Sequence, residues 1–100
     1  RHGTNFLEKL FLKFDNYMKS LLSTTMLQFL LPRRKYYSAA KSCLYGAQVD
    51  STQVVEISNN LGQESERTAW LSDMLIGALY ESYESDESMT KLLLDLGADV

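Results

Sequence analysis

The chain has 100 residues, 45% of them hydrophobic and 23% charged, and carries a net charge of −3. That length holds one small domain with a modest core and leaves no room for two. The mild acidity disfavours nucleic acid as a partner, and the single cysteine, Cys43, cannot by itself form an internal disulfide or a thiolate metal cage.

Five glycines and one proline interrupt the chain, and strand-like alternation is scarce, so the expected fold class is all-α. Arg1 to Asn5 read as a polar lead-in, with Thr4 or Asn5 available as an N-cap. From Phe6 the apolar positions Leu7, Leu10, Phe11, Phe14, Met18, Leu21 and Leu22 step by threes and fours, the mark of an amphipathic helix. Glu8, Lys9, Lys13, Asp15 and Lys19 fill most of the other side, and these charges exclude a membrane span and argue against a signal peptide. Ser23-Thr24-Thr25 either rides in a continuing helix or caps a second one. The dense run Met26 to Leu31 then ends before Pro32, because proline disfavours helix in the residue preceding it.

Pro32-Arg33-Arg34-Lys35 is a short basic loop. Tyr36 to Gly46 is the next helix, with small residues from Ser38 to Cys43 that suit close packing. Val49-Asp50-Ser51 is a turn and cap, followed by a helix from Thr52 to Leu61. Gln63 to Arg67 is linker or first turn, and Thr68 to Tyr80 is a helix with Trp70, Leu71, Met74, Leu75, Ala78 and Leu79 inward. Glu81 to Ser88 is an acidic, serine-rich loop, with Ser88 placed to cap a last helix from Met89 to Leu96 that Gly97 stops.

Two of these segments align. Val54 to Gly62 lies over Met89 to Gly97, from Gly62 to Gly97 a shift of 35 positions. An alanine-bearing helix precedes each, through Ala39 and Ala40 in one and Ala78 in the other. Lys91-Leu92-Leu93-Leu94-Asp95-Leu96-Gly97-Ala98-Asp99-Val100 resembles the end of an ankyrin repeat, whose second helix closes with leucines and Gly-Ala-Asp-Val. The resemblance covers residues 35–100. It implies two degenerate ankyrin-like helix pairs behind an N-terminal capping region, residues 6–31, that hides the end of the stack. Ser58 and Asn59 stand where the family prefers leucines, and Asp73-Met74-Leu75-Ile76 stands in place of its Thr-Pro-Leu-His. Because the sequence starts at Arg1 and stops where an array would run on, it reads as a piece of a longer protein.

Chemistry-bearing groups are few. His2 is the sole histidine, Cys43 has no evident histidine partner, and the glycines form no phosphate loop. Glu84, Asp86 and Glu87 lack the spacing and central glycine of a calcium loop. No catalytic residue, cofactor or metal site is therefore expected, and the chain is read as a non-enzyme. Arg33, Arg34 and Lys35 beside Tyr36 and Tyr37 combine cations with aromatics, as single-strand binders do, although a solvated interhelix loop explains them more simply. Ser82, Ser85 and Ser88 among acids could accept phosphate, or be plain loop composition.

Tyrosines favour protein interfaces. In the resembled family, first helices and turn tips line the concave binding face, and Tyr80 and Tyr83 fall near it. The expected function is a scaffold-like interaction module of ankyrin-like type, binding another protein through Arg33, Arg34, Tyr36, Tyr37, Tyr80 and Tyr83. Self-association is a further option, and a reducing, cytoplasmic setting follows from the lone cysteine and the absence of a glycosylation sequon. The alternative is a compact helical bundle, structural or dimerising, with residues 6–31 as its central core helix.

Overall fold

Three-and-four spacing of apolar residues translates into helix wherever it occurs. The computed structural model describes residues 2–81 and 87–99, with side chains for 6–79 and 87–99. Among them are five helices and no strand: α1 (His2–Leu30), α2 (Tyr36–Leu44), α3 (Ser51–Asn60), α4 (Glu64–Glu81) and α5 (Glu87–Leu96). The fold is all-α, as expected.

Two starts differ from the sequence reading, and of its two alternatives for Ser23-Thr24-Thr25 the continuing helix is the one observed. α1 is helical from His2, so Thr4 and Asn5 lie inside the helix and not at its start. α1 runs through Ser23-Thr24-Thr25 without a break, with the Thr24 and Thr25 hydroxyls turned back onto the carbonyls of Ser20 and Leu21. α5 begins at Glu87, which places Ser88 within it and removes Ser88 as its cap. α3 starts as expected: Asp50 accepts from the Gln53 N–H at 2.8 Å, while the Gln53 side chain accepts from the Asp50 N–H at 3.0 Å.

Three helices end alike. Gly46 (φ 103°), Gly97 (φ 116°) and Arg34 (φ 56°) each take the left-handed region in the turn that follows a helix. The N–H that follows each reaches back five residues: Ala47 to Ser42, Ala98 to Leu93, and Lys35 to Leu30. These paired returns satisfy carbonyls that a helix end would leave open.

The core is built around α2. Its Ala39, Ala40, Ser42 and Cys43 are all buried. Their small side chains let α1, α3 and α4 approach it from three sides. α3 packs on α2 and α5 on α4, and the two pairs meet α2 to α4 and α3 to α5. Between them lie Val54, Ile57, Leu61, Trp70, Leu71, Leu75 and Leu93, each nearly or wholly buried. α4 runs alongside α2 in the same direction. The Gly62 N–H donates to Tyr37 Oη at 3.2 Å, Trp70 Nε1–H donates to the Ala40 carbonyl at 2.9 Å, and Asp73 to Ala78 flank a cleft with Cys43 to Val49. Arg67 spans the other joint, donating to the carbonyls of Ser58 (2.9 Å) and Leu61 (3.1 Å) at the end of α3, where a cation also complements the helix dipole.

α1 departs most from expectation. Only its part from Lys19 onward touches the body: Lys19 lies over the Tyr45 ring, Ser23 and Leu27 are buried, and Leu30 is half-buried. The stripe from Phe6 to Leu22 hides no end of a stack within this chain. All its side chains are exposed, so these residues are not a capping face here, nor are Phe11, Phe14 and Met18 the centre of a bundle. The physical reason lies in the docking face, which is mostly polar. Ser20 Oγ–H donates to the Gly46 carbonyl at 2.6 Å, Ser23 Oγ–H to the Tyr45 carbonyl at 3.3 Å, and the Gln48 N–H to Thr24 Oγ1 at 2.9 Å. These bonds fasten α1 to the loop after α2, and the molecule extends 49 Å along its longest axis.

Candidate interaction surface

At about 100° per residue, the α1 positions Phe6, Leu7, Leu10, Phe11, Phe14, Tyr17, Met18, Leu21 and Leu22 cover one continuous arc of roughly 160°. No polar residue interrupts that arc. The docking face through Ser20, Ser23 and Leu27 is centred about 140° away around the helix. The stripe is therefore a second face and not an overhang of the first. Beyond Leu22 the same direction carries Thr25 and Gln28, both exposed and polar, and then Phe29, which is exposed and apolar and is covered by the Arg33 side chain. Lys13 borders one edge of the arc, and Asp15 and Glu8 border the other.

Exposure along the stripe runs from 36% at Met18 to 67% at Phe6. With about 200 Å² as the full surface of a large apolar side chain, nine such groups a little over half exposed leave on the order of 1,000 Å² open. The largest apolar patch on a typical monomer is about 300–600 Å². The signal for this surface was present in the sequence as the apolar spacing itself. What the spacing did not reveal was that the neighbouring helix takes the other face.

The sequence-derived site residues do not gather there, or at one place. Arg33 and Arg34 are exposed in the turn after α1. The Arg33 guanidinium stacks 3.6 Å from the Phe29 ring centre while donating to the Phe29 carbonyl at 2.9 Å, so it is held against its own helix. Tyr36 is half-buried and packs on the core, while Tyr37 is half exposed with its hydroxyl bonded to the turn before α4. These four sit at the N-terminal end of α2. Tyr80 belongs to the last turn of α4, which lies beyond the opposite end of α2, and its side chain is outside the described residues. Tyr83 is wholly outside them, as are Ser82 and Ser85 of the acidic segment, while Ser88 is an exposed residue of α5.

Two concave regions accompany these surfaces. A cleft of about 440 Å³ lies between the α2–α3 loop, α4 and α5, lined by residues that include Cys43, Met74 and Leu93. A shallower one of about 280 Å³ follows the α1–α2 seam. Burial pushes the Cys43 thiol from its ordinary 9.0 up to about 12. At neutral pH it is a small apolar wall residue and a poor nucleophile. Among the described residues no cluster of acids, histidines or cysteines is arranged to hold a metal, and no helix is long and apolar enough to cross a membrane. No known protein family, curated protein or solved structure matches the chain.

Proposed function

We propose that this protein is a non-enzymatic protein–protein interaction module: a small helical body that holds out a partner-binding helix. The observation that carries this reading is the uninterrupted, solvent-exposed apolar arc of α1 between Phe6 and Leu22. Water penalises such a surface, and a folded partner removes the penalty. In this reading the binding face is the stripe of α1, and Arg33, Arg34, Tyr36 and Tyr37 lie apart from it, beyond the other end of that helix. The meeting of α2 with α4 and α3 with α5 supports an ankyrin-like arrangement of the two helix pairs as the carrier. A reducing, cytoplasmic setting fits the single buried thiol of Cys43.

The test replaces Phe11 with a photoreactive benzophenone amino acid and irradiates the chain in extract of the cells that make it. The expected result is a discrete covalent protein adduct, identified by mass spectrometry, that disappears when Phe14→Glu is added. Adducts absent, or unchanged by Phe14→Glu, would overturn the reading.

A further inference from the structure

Resting on that reading, we infer that the partner covering the α1 stripe is a second copy of this chain, with the two α1 helices parallel and in register. Three observations carry it. The first is area: on the order of 1,000 Å² open on each copy compares with the roughly 800 Å² that each partner contributes to a stable interface. The second is periodicity. Leu7, Phe14 and Leu21 run along the middle of the arc at steps of seven, with Leu10, Phe11, Tyr17 and Met18 beside them, the spacing with which a helix meets another like itself over several turns.

The third is charge. Lys13 stands on one edge of the arc and Asp15 on the other, about 3 Å apart along the axis. A two-fold axis parallel to the helices sets opposite edges against each other, so Lys13 of each copy faces Asp15 of the other and two attractions form. An antiparallel pair sets like edges together, with Lys13 against Lys13 and acid against acid. Edge charges of this kind select partner orientation. The bodies allow the parallel arrangement. Each hangs from the α1 face about 140° away from the stripe, so two bodies at the same end of the pair point apart.

The experiment is sedimentation equilibrium on the full chain at low ionic strength, where edge charges are least screened. The wild type is expected to sediment as a dimer or larger species, and Phe14→Glu as a monomer with unchanged Trp70 fluorescence. Phe14 is 60% exposed, whereas Trp70 reports the buried body. Lys13→Glu and Asp15→Lys are each expected to weaken association on the order of tenfold, and the double exchange to restore it.

A monomeric wild type overturns self-pairing. Self-association indifferent to either single exchange overturns the parallel register, because antiparallel edges would trade one like-charge pair for another. A monomer that binds phosphatidylcholine–phosphatidylglycerol vesicles through the stripe assigns the surface to lipid and also overturns the proposal. The crosslinking test separates the two levels. A heterologous protein adduct from a monomeric chain leaves the interaction reading standing and removes only the second copy as its partner.

Discussion

Arg34 shows what a single residue contributes and what it costs. It holds the left-handed position at the end of α1 that Gly46 and Gly97 hold at the ends of α2 and α5. A side chain in that region costs about 1–2 kcal/mol, whereas glycine adopts it freely but brings about 0.4–1 kcal/mol of extra freedom to the unfolded chain. The first effect outweighs the second. Arg34→Gly is therefore expected to stabilise the protein by about 0.5–1 kcal/mol, read as a higher denaturant midpoint with unchanged slope. The two glycine stops were legible in the sequence, since glycine past an apolar helix is a recognised ending. The arginine stop was not, because nothing in an arginine marks a positive φ, and Pro32 drew the expected helix end to nearly the same place for a different reason. The candidate site was legible only in part for a similar cause. Tyr36 and Tyr37 were identifiable as interface-type residues, but whether a tyrosine faces solvent or bonds a neighbouring turn depends on contacts that no local pattern encodes.

Among the elements, α2 is the one on which the others depend. Nine residues with four small buried side chains form too short a helix to persist alone, and its neighbours hold it in place. Trp70 supplies the most specific of these ties, since its ring fills the space beside Ala40 and its N–H satisfies the Ala40 carbonyl in a buried position. Trp70→Phe keeps most of the apolar contact and leaves that carbonyl without its side-chain donor. It should cost about 1–3 kcal/mol, measured by chemical denaturation, and a cost below a few tenths would show that the bond contributes nothing net. The small residues of α2 announced close packing in the sequence. α1 did not announce its orientation. Its period correctly gave a helix, but the expectation that the apolar stripe faces the core ignored Ser20, Ser23 and Thr24, which bind the open backbone groups after α2. A polar face that satisfies a neighbour's backbone looks, in sequence, like a face for water.

At the scale of the whole molecule, stability is divided unevenly. Buried side chains from all five helices form one core, but α1 joins it only from Ser23 onward. The amides of α1 between Phe6 and Ser20 are held by helix hydrogen bonds alone, and a helix of that length is marginal in water. In a free monomer they are expected to exchange with deuterium far faster than those of α2 or α4, with protection rising sharply near Ser23. Equal protection along all of α1 in a monomer would show that the first half has tertiary support after all. The consequence of fastening a long helix at one end is mechanical. From Ser20 to Phe6 the free arm measures about 21 Å, so a tilt of about 10° at the serine pivot swings its tip through about 4 Å. Whatever grips the arm can be reached over a range of angles without disturbing the body that carries it.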